Sequence, residues 1–363
     1  SLSLSLSLSL SVCLRLSYVQ TAQDFTGWEN DRFQRMLYFE YLVTYRVMVP
    51  SLSEVGVGFT IGTMNLIRKN AITEVGGWAE WSLAEDSELS GRLHAAGYNG
   101  LFLPGSWGFG RIPASFRDYK KQRFRWSAGP VQQLCRSWDM YAPSFLGRPN
   151  HLTTTFKILE GWRCFSLGLI LTPLGLISLI GLALTLALTN QYTTLPFYCF
   201  YLLVSSWGAS LPFSFLRLRR AGVETLFDCI GVSIAEASLE FVKMAAVLSA
   251  YAPGSVLVWQ RTAKFHVLPD KWRALWSCKS EMALSMLLLL VSLVLAALNT
   301  WAANPWNIVT GIIIVLVGKS VLFACAPALA FLGELYEEIR ERESGSTREE
   351  SVKVELLDLQ EIV

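Results

Sequence analysis

The chain has 363 residues, of which 52% are hydrophobic and only 17% are charged. A soluble domain carries about 25% charged residues, so a wholly soluble protein is excluded. The net charge of +2 gives no case for nucleic acid as a partner. It is unevenly spread: residues 334–363 hold 4 basic and 10 acidic side chains, net −6, which leaves +8 for the rest. The 7 cysteines are scattered with no CxxC, and the only histidines are His94, His151 and His266. That argues against a disulfide framework and against His-rich metal chemistry.

Residues 1–11 read SLSLSLSLSLS and are taken as a low-complexity leader. They lack the basic start and cleavage site of a signal peptide. Residues 12–160 read as an α/β region. VCLRLSYVQ (12–20) is strand-like. Phe33, Met36, Leu37, Tyr41, Thr44 and Val47 recur at helical spacing across residues 30–47. VGVGFTIG (55–62) is a second strand candidate. A helix is expected from Glu85 to Ala96, stopped by Gly97. YNGLFL (98–103) reads as a short strand. Pro113 suits the first position of a helix running through Trp126.

A membrane domain, residues 164–333, follows interfacial helices at 131–163. From Cys164 to Leu216 there are 53 residues with no Asp, Glu, Lys or Arg. A span needs about 20 apolar residues, so this stretch predicts two helices broken near Asn190–Pro196. A second apolar stretch from Met282 to Gly333, interrupted by Lys319, predicts two more, split at Asn304-Pro305. Lys319 is an intramembrane charge; snorkelling or pairing across the bundle explains it equally well, and no role is assigned. Residues 223–250 differ. At 100° per residue, Glu224, Asp228, Glu236, Glu240 and Lys243 fall within one arc of about 160°, which predicts an amphipathic helix lying in the interface. Arg217, Arg219 and Arg220, and the basic loop 251–281, should face the cytoplasm. Four spans plus one interfacial helix then place residues 12–160 and the charged tail, 334–363, on that same side. The expected location is a multi-pass protein of the plasma or an inner membrane.

Two motifs carry chemistry. Glu85 and Asp86 open the expected helix, after the GGW of 76–78. Paired carboxylates there feel the positive end of the helix dipole. They read either as first-turn capping or as a general base for an attacking hydroxyl. The second motif is QRFRW (122–126), in which Gln122, Arg125 and Trp126 share one helix face. Arginine offers a planar fork to phosphate oxygens, and an indole is a broad platform for a ring. The alternative is a basic juxtamembrane helix on lipid head groups.

The two motifs lie 36 residues apart (86 to 122) and precede membrane helices. That order resembles the membrane-embedded family 2 glycosyltransferases, the cellulose, chitin, hyaluronan and related β-glycan synthases. The matching strings are YVQT (18–21), GTMNLIRKNAITEVGGW (62–78), AEDSEL (84–89) and QRFRWSAG (122–129), and KFHVLPDK (264–271) loosely resembles their gating loop. The resemblance implies an α/β fold plus transmembrane helices: residues 12–130 as the C-terminal half of a GT-A-type catalytic domain, followed by a membrane helix bundle. It implies inverting transfer from a nucleotide-sugar, usually a UDP-sugar, to a growing glycan, with translocation. Asp86 would be the base and Glu85 its neighbour in the motif. Gln122 and Arg125 would hold the donor diphosphate, and Trp126 would stack on the acceptor sugar. Trp162, Trp207, Phe213, Trp301 and Trp306 read as a sugar path or as interfacial belts. Phe265, Val267 and Lys271 would belong to the gating loop, which departs from the family pattern at Leu268.

The family's DxD motif, which holds a divalent metal (Mg or Mn), is absent from residues 1–83. The chain therefore reads as an acceptor-and-base half with no metal site of its own, and transfer by this polypeptide alone is not expected. The competing readings are a non-processive lipid glycosyltransferase, a scaffold or pseudoenzyme, and a membrane transporter with a regulatory α/β domain.

Overall fold

The computed structural model describes residues 15–191, 199, 210–254, 257–259, 270–300 and 307–360. The leader, the residues Trp207, Trp301 and Trp306, and the gating-loop residues Phe265 and Val267 lie outside these.

The cytoplasm-expected region is built on one small mixed sheet. β1 (Leu16–Phe25), β2 (Asn65–Ile67) and β3 (Asn99–Gly110) lie in the order β2-β1-β3. β1 runs antiparallel to β2 and parallel to β3. Thr21 pairs with Leu103 but Ala22 with Ser106, so Pro104 and Gly105 bulge out. Pro104 has no N–H to give the ladder. The expected strand at 98–103 thus continues to Gly110 beyond its bulge.

α1 (Arg32–Val43) starts at Asp31, whose carboxylate accepts the Gln34 N–H at 3.1 Å. Its spacing buries Phe33, Leu37 and Tyr41, as expected. The helix then widens into a π-turn, Thr44–Met48, before α2 (Val49–Glu54). Pro50 has no N–H for the Arg46 carbonyl, which favours the wider turn. The strand expected at 55–62 does not form. Gly56 turns the chain at φ +75°, and the N–H groups of Thr60 and Ile61 go to the side chains of Ser90 and Gln20 at 2.8 and 3.0 Å. Side chains have taken the bonds that a ladder needs.

After α3 (Lys69–Glu74), α4 (Glu85–Ala95) carries Glu85, Asp86 and Glu88 in its first turn and Arg92 and His94 in its last, matching the dipole. Gly97, at φ +90°, ends it as expected. α5 (Phe116–Arg136) starts later than Pro113, because Ser115 caps it by accepting the Asp118 N–H at 3.2 Å. It also runs past Trp126 and across the expected boundary at 130, with Pro130 inside. α6 (Trp138–Tyr141) and α7 (Thr154–Phe165) follow.

Among the described residues three helices are long and apolar enough to cross a membrane: α8 (Leu167–Leu188), α13 (Lys279–Asn299), and Ile308–Ile339 within α14 (Ile308–Gln360). The expected span at 196–216 falls largely outside the described residues; its end is α9 (Ser210–Arg220). Residues 223–250 are not one helix. α10 (Leu226–Ser238) and α11 (Glu240–Tyr251) meet at Leu239. Nor does their charged arc face water. Asp228 takes Arg35 in two bonds of 2.6 and 2.8 Å, Glu236 pairs with Arg217, and Glu240 pairs with Lys319. The charged face has docked on cations of α1, α9 and α14, so Lys319 has a partner within the protein. Lys271 opens α12 (Lys271–Trp276) and pairs with Glu338.

One apolar core ties the two halves together. Phe33, Leu37 and Tyr41 of α1 pack with Leu218, Val232, Leu239, Ala326 and Leu329 from the C-terminal half. A second core, including Leu176, Leu295, Ile312 and Phe323, joins α8, α13 and α14.

Candidate active site

The site begins at the first turn of α4. Asp86 accepts the Ser87 N–H on Oδ1 at 2.7 Å, and its backbone carbonyl takes the hydroxyls of Thr60 and Ser90, both at 2.9 Å. Thr60 belongs to the segment that failed to become a strand. Gln20 of β1 pins the next residues: its amide donates to the Thr63 carbonyl at 2.8 Å and accepts from Ile61. A Cβ on Gly62 would stand 2.9 Å from Asp86 Oδ2. The carboxylate therefore depends on a bare backbone beside it. Burial raises the Asp86 pKa to about 6, and the Glu85 charge adds to the rise. A carboxylate tuned upward in a cleft is suited to take a proton near neutral pH.

The other wall is α5. Gln122, Arg125 and Trp126 share a stripe with Gly129, Gln132 and Gln133, at helical spacing. The C-terminal part of that stripe holds α4 in place. A Cβ at Gly129 would lie 2.5 Å from Ala84 Cβ, so the helices meet there backbone to backbone. Gln132 Oε1 accepts the Leu83 N–H at 3.1 Å. The N-terminal part opens to the cleft. Tyr41 donates its hydroxyl to Gln122 Oε1; burial keeps that phenol protonated by raising its pKa. With its oxygen engaged, the Gln122 amide is left to present its NH₂ donors. Trp126 meets Tyr41 edge-on at 5.7 Å and lies over the Arg123 guanidinium at 4.4 Å. Arg123 is buried and paired with Glu40. The indole stays about one-third exposed, at 36%. Arg125 stacks on Trp259 at 4.9 Å, and burial lowers its pKa against the pull of Glu85 and Asp86.

All five residues singled out in the two motifs, Glu85, Asp86, Gln122, Arg125 and Trp126, line one cleft of about 980 Å³. Ser166 and Leu169, at the start of α8, line it too. Lys271 does not. Sequence reasoning missed Tyr41, Arg123, Trp259 and Arg163, which lines the cleft and donates to the Ser87 hydroxyl at 2.7 Å. Arg123 sat inside the quoted motif, but its burial is a tertiary fact. Trp259 lay in a loop read only for its charge. Among the described residues no group of three or more His, Cys, Asp or Glu side chains is placed to hold a metal ion. Glu40 and Glu236 are taken by arginines. The described residues of the cleft therefore do not fit the divalent cation that the resemblance implies.

The profile of glycosyl transferase family group 2 matches residues 11–216, more than half of the chain. The chain belongs to that family. Its matched region contains both motifs and both walls of the α4–α5 site. Glucomannan 4-beta-mannosyltransferase 9 of Arabidopsis thaliana is 30% identical over 119 residues, 32% of this chain and 22% of that protein. Glucomannan 4-beta-mannosyltransferase 2 of the same plant is 34% identical over 100 residues, 28% of this chain and 18% of that protein. The matched stretches thus span about a fifth of each relative.

Proposed function

We propose that this family 2 glycosyltransferase chain serves an inverting hexosyl transfer from a nucleotide-sugar, a UDP-sugar in the first instance, to a growing β-glycan at the membrane. The observation that carries the reading is the convergence of Asp86, Gln122, Arg125 and Trp126 on one cleft. The acceptor hydroxyl gives its proton to Asp86 as its oxygen attacks the anomeric carbon. The bond from that carbon to the diphosphate oxygen breaks, and the nucleoside diphosphate leaves with the electron pair. A single displacement inverts the centre. Gln122 and Arg125 donate to the diphosphate oxygens as charge builds there, while Trp126 supports the acceptor ring. The Ser166–Leu169 edge of the cleft gives the product a route to the membrane helices, with the lobe and tail on the cytoplasmic side.

The test is nucleotide release by native membranes carrying the protein, supplied with a panel of nucleotide-sugars. One sugar should support release, and Asp86→Asn should reduce it by about 10²- to 10⁴-fold, the usual range for losing a general base. Unchanged turnover in Asp86→Asn would refute the base. Glycan binding with no release from any sugar would favour the scaffold reading.

A further inference from the structure

Beneath the Gln122–Trp126 wall the cleft reaches a region whose charges the proposed transfer does not use. It is formed where α11 and the end of α9 face α1 and α5. Two ion pairs line it, Arg123–Glu40 and Arg217–Glu236. Lys243 of α11 lines it as well, and among the described residues no hydrogen bond or ion pair reaches its ammonium. Its charge is felt together with those of Glu40, Arg123, Glu236 and Arg217, so the five groups form one cluster of three cations and two anions. Two more donors there are unused. Arg123 Nε and Arg217 Nε are buried and have no acceptor among the described residues. Burial also lowers the Lys243 pKa, the response of an ammonium that no counter-charge fully compensates.

Buried donors in native proteins are nearly always satisfied, and a buried excess cation is costly without an anion. Here two such donors, Arg123 Nε and Arg217 Nε, sit in residues that line the cleft together with Lys243, whose ammonium no described residue pairs. We propose that this region of the cleft is a binding site for an anionic group carried by the acceptor, a carboxylate of an acidic sugar or a phosphate of a lipid-linked one, held by Lys243 with Arg123 and Arg217. The acceptor is favoured over the donor as its source by position. Gln122 and Arg125, assigned to the diphosphate, belong to α5, whereas Arg217 and Lys243 come from α9 and α11 in the C-terminal half of the chain. The inference rests on the transferase reading and refines its acceptor.

The test is binding, which needs no transfer. The full chain in lipid nanodiscs is titrated with cellotetraose, with its uronate counterpart, and with a short lipid phosphate, at low and high salt. One of the two anionic probes should bind about tenfold tighter than its neutral equivalent, as expected of a charge-assisted hydrogen bond. That preference should shrink in high salt, vanish in Lys243→Met and survive in Lys243→Arg, while UDP affinity stays unchanged. Equal binding of charged and neutral probes by the wild type would overturn the site without any variant. So would a preference that persists in Lys243→Met, or a loss confined to UDP, which would assign the anion to the donor. A failure of the base assignment would instead appear as transfer by Asp86→Asn and would leave these binding results intact.

Discussion

The two motif-bearing walls of the cleft are held by different means. The Asp86 wall is set by backbone: Gly129 lets α5 approach Ala84 closer than any Cβ allows, Gly62 leaves room for the carboxylate, and the Asp86 carbonyl takes the hydroxyls of Thr60 and Ser90. The Gln122–Trp126 wall is set by side chains, with Tyr41, Arg123 and Glu40 packed beneath it. The difference teaches where tolerance lies. Backbone contacts fail abruptly, because nothing nearby can rotate away. Side-chain supports fail by steps, because each removes one bond and leaves the packing.

Gly129→Ala should give the largest effect of this contrast. The new methyl would meet Ala84 Cβ at 2.5 Å and Ala84 N at 2.8 Å, and the opposing groups are main chain or fixed to it. Overpacking of this kind costs about 1–3 kcal/mol. A shift of Asp86 by about 1 Å can cost on the order of 100-fold in rate. Single-turnover measurements in native membranes should show that loss at saturating donor, with nucleotide affinity within a few-fold of wild type. A rate within twofold of wild type would show that the contact is slack and would erase the distinction between the walls.

Tyr41→Phe should fall in the middle. It keeps the ring under Arg123 and Trp126 but removes the donor that fixes the Gln122 amide. A net hydrogen bond of about 1 kcal/mol predicts a rise of roughly fivefold in the donor KM, with kcat little changed. A fall in kcat at constant KM would mean that Tyr41 acts on the base side instead.

The contrast also explains what the sequence could show. The motif residues were legible as a set because their types and spacing stand out, a carboxylate at a helix start and an arginine and an indole on one helix face, and the fold brings them to one cleft. The spanning helices were legible because lipid demands long uncharged runs, and α8 and α13 have them. The supports were not legible. Nothing local in VGVGFTIG distinguishes a strand from a segment whose N–H groups are taken by Gln20 and Ser90, 41 and 30 residues away. Likewise the charged arc of 223–250 has the periodicity of a water-facing helix, and only the positions of Arg35, Arg217 and Lys319 turn it inward. Local pattern reports that a face is polar; it does not report what will meet it.

The smallest effect expected is thermodynamic, and it sharpens the account of the Asp86 wall. The ordinary carboxylate pKa of 3.8 rises to about 6 in the fold. The folded chain therefore binds this proton more tightly than the unfolded chain does. The group's contribution to stability falls as pH rises from 3.8 to about 6 and stays low above that. Asparagine has the same shape and no charge to bury. Asp86→Asn should thus melt a few degrees above wild type at pH 8, and the gap should narrow below pH 6 and close only well below 3.8, where the wild-type carboxyl is protonated in both states. Sugar transfer by the wild type should run the other way, rising through about pH 6 to a plateau as the base ionises. A variant that melts lower than wild type at pH 8, or a gap independent of pH, would mean that the carboxylate is a structural cap stabilised by its charge, and the Asp86 wall would lose its claim to be strained for catalysis.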